Sequence, residues 1–420
     1  RTFSSLFYFN SILYLPYIEL YLFHLGPFLI LLFFNYIVLS EIFKKLKNNN
    51  NDLNFYFKIL SFVFVNIVFY RLGEHGTDRS AQILLFLIFI IVLEISLNFS
   101  KLDLSRNLKI LLVVIFLASS LKAIYFIYIS LIPYVLFKIK NLKYIFQIFK
   151  SSLTIFLTIF FIYNSTINFL STGCILYPAH KTCFDNYSWA IKKNEVKKMK
   201  IHYEWWAKAG GGPGYKYELA KEKYVENFNW LSNWIERHFF NKVSDTLFGI
   251  IFIALFSYFI FKTEKKKNFK NNKLSLLYGL ILIFLLEWFL NHPAMRYGGF
   301  VLIALPIFLF TSSVLEKFKM NKKKNYKSTV FLILLTFFIY NSRNIVRLNK
   351  EINFYSYDML SSPFYYLPIV KHEIIFQNDN IKIYHPVNNM CWNTPTPCSY
   401  NKKIKLENKY YFNVVSRKNK

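Results

Sequence analysis

The chain has 420 residues, 54% of them hydrophobic and 20% aromatic, and a positive mean hydropathy. A soluble domain is nearly half apolar but does not gather that content into recurrent, almost uncharged runs, so a soluble globular class is excluded. The formal charge of +29 suits a nucleic-acid surface in amount but not in placement, because the cations crowd the connectors between apolar runs; no nucleic-acid partner is expected.

In chain order the apolar runs occupy residues 24–43, 59–70, 83–97, 110–121, 124–137, 153–169, 246–261, 274–290, 300–315 and 329–340. A bilayer core about 30 Å thick needs roughly 20 helical residues, fewer where flanking side chains snorkel. The expected fold class is an all-α, multi-pass transmembrane bundle of about ten spans, with an extracytoplasmic helical loop region and a small C-terminal extracytoplasmic α+β or β domain. The expected divisions are 1–170 (spans one to six), 171–245 (outer loop region), 246–342 (spans seven to ten) and 343–420 (outer domain). The chain starts at Arg1 in RTFSSLFYFNSILYLP, which reads as the middle of an outer loop or the edge of an earlier helix, so further upstream sequence is expected.

Alternate connectors carry Lys44, Lys45 and Lys47; Lys101, Arg106 and Lys109; four lysines over 138–150; six over 262–273; and six over 317–327. Those 22 cations face only Arg71, Arg79, Lys122 and Arg296 in the opposite short connectors. This is the positive-inside pattern: the lysine loops are expected in the cytoplasm of a bacterial inner membrane, and the C-terminus outside it. All four cysteines, Cys174, Cys183, Cys391 and Cys398, fall in the two segments assigned outside. Close spacing within each segment and the lack of CxxC point to disulfides Cys174–Cys183 and Cys391–Cys398 rather than a zinc site.

The outer segment at 171–245 passes through WWAKAGGGPGYKY, whose glycines suit a mobile loop. It closes with Val225, Phe228, Leu231, Ile235 and Phe239 at helical spacing, which predicts one amphipathic helix lying in the membrane interface. Trp230 and Trp234 beside that stripe suit an aromatic belt or a sugar-stacking platform. Beyond residue 343, EIIFQ, IKIYHP and KYYFNVV predict short strands, and MCWNTPTPCSY a disulfide-closed loop.

Polar residues gather at three outer connectors. RLGEHGTDRSAQ brings Glu74, His75, Asp78 and Arg79; LLEWFLNHPAMRYGGF brings Glu287, His292, Arg296 and Tyr297; Lys122 stands in a tight turn. Glu287 and Asn291 are one helical turn apart and share a face. Carboxylates able to take a proton, beside arginines able to grip phosphate oxygens, are what transfer from a phosphate-linked donor requires. The plainer alternatives are that Thr77 or Asp78 caps the third span and that Arg79 and Arg296 anchor at the interface. Glu94 reads as a helix-packing residue. Glu74, His75 and Asp78 can also hold a divalent cation, a weak signal on its own; no metal ligand set is assigned.

With these segments in hand, the layout resembles the C-type membrane glycosyltransferases (the GT-C class), which take sugars from polyprenyl-phosphate carriers. RTFSSLFYFNSILYLP, GEHGTDRSAQIL, HPAMRYGGF and CWNTPTPC look like motifs of bacterial multi-pass proteins of this shape. The resemblance implies an acidic catalytic residue in the first outer loop and phosphate-binding basic residues in later ones. That first loop is expected upstream of Arg1; among the residues here, Asp78 or Glu74 would be the base. Arg79, Arg296 and Lys122 would meet the phosphate. His75, Glu287, His292, Tyr297, Trp205 and Trp206 would line the substrate, with membrane lipid and a polyprenyl-phosphate-linked sugar as partners. A polysaccharide polymerase or ligase shares these features. A transporter needs polar groups at mid-membrane and broken helices, and a non-catalytic membrane protein needs none of them.

Overall fold

The computed structural model describes residues 25–71, 77–97, 101–139, 149–187, 189–210, 219–265, 274–319, 321–355, 370–377, 381–387, 394–400, 404–409 and 412–417, with Ser5, Asn10, Ile12, Phe146, Cys391 and Lys402 besides. The chain divides into two compact units, one of residues 1–185 and 191–347, the other of 186–190 and 348–420.

The first unit is helical. Its apolar elements are α1 (Leu25–Lys47), α2 (Leu53–Val68), α3 (Thr77–Leu97), α4 (Lys101–Leu121), a 3-10 segment (Ala123–Ser130) running into α5 (Leu131–Ile139), and α6 (Ser152–Thr172). After α7 (Lys193–Trp205), α8 (Lys221–Val225) and α9 (Leu231–Trp234) come α10 (Ser244–Phe261), α11 (Ser275–Asn291), α12 (Gly299–Leu315) and α13 (Lys322–Tyr355), whose last turns belong to the second unit. Six helical stretches are long and apolar enough to cross a membrane: Leu25–Lys47, Thr77–Leu97, Leu104–Leu121, Ser152–Thr172, Leu231–Phe261 and Lys322–Phe354. Shorter apolar helices cover Leu53–Val68, Ala123–Ile139, Ser275–Asn291 and Gly299–Leu315. Each apolar run of the sequence falls on one of these.

Burial separates the helices into two kinds. α2, α3 and α12 are apolar all round and buried nearly throughout, the pattern of central helices. Phe64 of α2 links them, its ring 5.5 Å from Phe86 and 5.6 Å from Phe308. α1, α10 and α13 bury one stripe and expose the rest: Phe33 and Tyr36 on α1, Phe252 and Phe259 on α10, Phe331 and Phe338 on α13. α6 buries only Leu157 and Thr172 and exposes Ile159 and Ile162 among others. Apolar side chains exposed along whole helices suit lipid rather than water.

At the lysine-rich end, a charged knot ties α1, α2 and α3. Asp52 caps α2 by accepting from the Phe55 amide at 2.8 Å, and also takes Lys45 at 2.5 Å. Lys58, only 2% exposed, lies 3.2 Å from Glu94 and 3.4 Å from Glu41; Lys45 is 3.6 Å from Glu94, which also accepts from the Asn54 side-chain Nδ2. Glu94 thus packs helices together, as its position implied.

The expected single amphipathic helix does not form. α8 ends where Glu226 turns extended and Asn227 takes a left-handed conformation, φ 51°. Helix resumes at α9 and continues as a π-helical stretch (Ile235–Val243) into α10. Phe228 and Ile235 are exposed, whereas Trp230 (1% exposed) and Trp234 are buried. Val225, Leu231 and Phe239 of the stripe still pack against the core. The two indoles form the more deeply buried part of the packing face, because they bury more surface and satisfy their N–H groups internally, on Asn227 O at 3.0 Å and Pro293 O at 2.7 Å. They are core residues, neither an interfacial belt nor a sugar platform. Lys208 is buried beside them, paired with Glu204 at 2.7 Å and 5.1 Å from the Trp230 ring. The Cys174–Cys183 disulfide closes the loop after α6.

In the second unit, β1 (His372–Gln377) pairs antiparallel with β2 (Lys382–Pro386), with a bulge between Ile374 and Phe376. A second antiparallel hairpin joins β3 (Ile404–Lys409) and β4 (Phe412–Arg417). The Cys391–Cys398 loop lies along β2, where the Tyr384 amide donates to Pro397 O and Ser399 donates back to Tyr384 O.

Candidate functional site

Asp78 sits in the first turn of α3, half a membrane or more from Glu94 at about 1.5 Å per residue. Its carboxylate does not act as a simple cap. Lys122 Nζ donates to Oδ1, and Arg296 Nε donates to Oδ2 at 2.8 Å. The carboxylate is 10% exposed and Lys122 26%, while Arg296 is 58% exposed, so the trio has a buried root and an open cationic tip. One carboxylate between two cations leaves a net charge of +1, a preference for an anion.

Each partner is held in place by local structure. Lys122 is the single extended residue between α4 and the 3-10 segment. Arg296 lies in a short 3-10 turn (Met295–Tyr297) closed by Gly298, whose φ of 113° demands glycine. Gln82 stands one helical turn beyond Asp78 and donates to Arg296 O at 3.1 Å, pinning that turn. Trp288 and Trp234 donate to Ala294 O and Pro293 O, and the Met295 amide donates to His238 at 3.3 Å. Gly299 allows this close approach: a Cβ there would come 2.5 Å from the Trp288 ring. Tyr297 serves both cations, its ring centroid 4.0 Å from Lys122 Nζ and 5.5 Å from the Arg296 guanidinium carbon.

Burial sets the electrostatics. It lowers the Lys122 pKa against the pull of Asp78, and raises that of Tyr297. It also pushes His292 down to about 4, with positive Lys122, Lys200 and Lys208 adding to the effect. His292, 6.2 Å from the Tyr297 ring, is therefore a neutral imidazole at pH 7. Between pH 6.5 and 4 the unfolded chain binds a proton at His292 that the folded chain refuses, so stability falls as pH drops through that window, by up to roughly 3 kcal/mol. Thermal melts of the detergent-solubilised protein at pH 7 and pH 4.5 should show this loss, and His292→Gln should shrink it. An unchanged difference in the variant would remove His292 as its source.

The structure thus brings Asp78, Lys122, His292, Arg296 and Tyr297 together from three connectors. Arg79 donates to Arg71 O. Glu287 accepts from Asn291 at 3.3 Å, on the face they share. Trp205 and Trp206 surround His202, with Lys221 4.8 Å from the Trp205 ring. Glu74, His75 and the glycines at 211–214 lie outside the described residues. Among the described residues no group of three or more His, Cys, Asp and Glu side chains is placed to hold a metal ion. Sequence reasoning missed Gln82 as a positioning residue, although its spacing of four from Asp78 was the signal; Lys200 and Lys208 carried none.

Residues 2–303 match a family described as a domain of unknown function (DUF8201). The chain belongs to that family. The matched region contains Asp78, Lys122 and Arg296, so the trio lies in the part that defines membership. No curated protein matches the chain, and no solved structure does.

Proposed function

We propose that the chain is a multi-pass bacterial inner-membrane protein of ten spans that transfers a sugar from a polyprenyl-phosphate donor at the outer face. On this reading the lysine loops are cytoplasmic, and the disulfide-bearing segments and C-terminus lie outside. The observation that carries the proposal is the Asp78 carboxylate clasped between Lys122 and Arg296 where apolar helices end. In the reaction the acceptor oxygen bonds to the anomeric carbon while the bond from that carbon to the phosphate oxygen breaks. The acceptor proton passes to Asp78 or Glu74, and the negative charge left on the polyprenyl phosphate is met by Arg296 and Lys122. Such preorganised charge is worth about 3 kcal/mol or more per donor. Both Asp78 oxygens are occupied by cations, so an arriving phosphate that draws one cation away also frees the carboxylate to accept a proton.

The test is transfer in nanodiscs, read as release of polyprenyl phosphate from a radiolabelled polyprenyl-phosphate sugar. Arg296→Lys keeps the charge but loses the forked geometry, and transfer should fall about 100-fold. A wild-type protein that binds polyprenyl-phosphate sugars no better than an uncharged polyprenol would overturn the proposal.

A further inference from the structure

Lys122 has a second neighbourhood besides Asp78. It also lines a cavity of about 290 Å³ bounded by the end of α4, the 3-10 segment, α6 and the loop closed by Cys174–Cys183. The walls are mostly apolar, with Phe116, Phe126, Phe160 and Phe161 prominent. Phe161 stacks on Phe126 at 5.7 Å and meets Phe116 edge-on at 6.4 Å, which props the walls apart. The loop side is stiff: Thr182 Oγ1 donates to Leu176 O and accepts from the Leu176 amide, both at 3.1 Å. On its far side α6 exposes Ile159 and Ile162, the face assigned to lipid, so the cavity lies directly behind a membrane-facing helix.

A mostly apolar chamber, with Ser119, Ser120, Asn164, Ser165 and Asn168 among its walls and one cation at its edge, has a defined complement: an apolar chain carrying an anionic head. We infer that this cavity holds the segment of a phospho-lipid chain nearest its phosphate, with Lys122 at the junction. This rests on the proposed function and deepens it by placing the donor's chain on the α4–α6 side of Lys122 and its sugar on the Asp78–Arg296 side. The size agrees, since the volume is at the low end of small-molecule pockets and takes only part of a long chain. Charge agrees too, because a phosphate at this point competes with Asp78 for the same ammonium. A polyprenyl phosphate and a bilayer phospholipid share this chemistry, and the test separates them.

Ser165→Trp on α6 and Ser119→Trp on α4 each push an indole into the cavity from opposite walls, while Ile159→Trp adds the same bulk on the outer face of α6. Affinities for a C55 polyprenyl phosphate, dioleoyl phosphatidic acid and inorganic phosphate are measured on the intact, disulfide-bonded protein in detergent, using only variants that melt as the wild type does. At least one filling variant should weaken polyprenyl phosphate tenfold or more, with inorganic phosphate unchanged and Ile159→Trp silent. Unaltered polyprenyl-phosphate binding in both filling variants would overturn the cavity assignment while leaving the proposed function standing. Loss of phosphatidic acid alone would make this a bilayer-lipid site and overturn the assignment equally. A wild-type protein without affinity for polyprenyl phosphate would overturn both.

Discussion

Asp78→Asn should reduce sugar transfer by a factor of 100 or more while the protein still folds. The amide keeps the shape of the side chain and one acceptor for Lys122 or Arg296, but it cannot take a proton, and general-base catalysis is worth about 100- to 10,000-fold. Stability should fall by only about 1–2 kcal/mol, because Arg296 is more than half exposed and solvent screens the charge left unpaired. The measurement is transfer activity beside a thermal melt. If Asp78→Asn keeps wild-type transfer and loses only stability, the carboxylate is an anchor for the two cations and the base lies elsewhere. Asp78→Glu sharpens the distinction. It retains a base but displaces it by a methylene, so partial activity points to chemistry and a cold melt to packing.

The largest stability effect belongs to the opposite end of α3. Lys58→Met should cost about 3 kcal/mol, the lower end for a broken buried pair, because it removes a 2%-exposed ammonium and leaves Glu94 to Lys45, 3.6 Å away. Methionine matches the lysine stem in length, so lost packing contributes little. The double variant Lys58→Met, Glu94→Gln should recover most of that loss: the glutamine still accepts from Asn54, and the anion still short of Lys58, Glu41, is 37% exposed and screened by solvent. Chemical denaturation of the single and double variants in mixed micelles reads this. A double variant as unstable as the single would show that Lys58 acts through shape instead of charge.

Much of this architecture was legible in the sequence, for reasons that are local. A membrane imposes its demand window by window, since each stretch in lipid must satisfy its own backbone and present apolar side chains; the runs around residues 83–97 and 153–169 needed no neighbour to be recognised as helix. The two disulfides were equally local, their partners seven and nine positions apart in the chain. The amphipathic stripe at 225–239 misled because helical periodicity says which residues can share a face, not which face wins the core. There Trp230 and Trp234 took the deepest places, with Asn227 and Pro293 supplying acceptors for their indoles, and left Phe228 and Ile235 of the stripe exposed.

The candidate site shows the division most clearly. Sequence alone determined that Asp78, Lys122 and Arg296 stand in connectors flanking apolar helices, and that their residue types suit a phosphate-bearing partner. Only the tertiary structure decided that Arg296, 218 residues along the chain, closes on the same carboxylate as Lys122, 44 residues along. The reason is physical. Apolar helices are specified by transfer free energies that add residue by residue, whereas an ion pair between distant connectors depends on how α3, α4 and α12 pack and on which carbonyls Gln82 and the tryptophans hold.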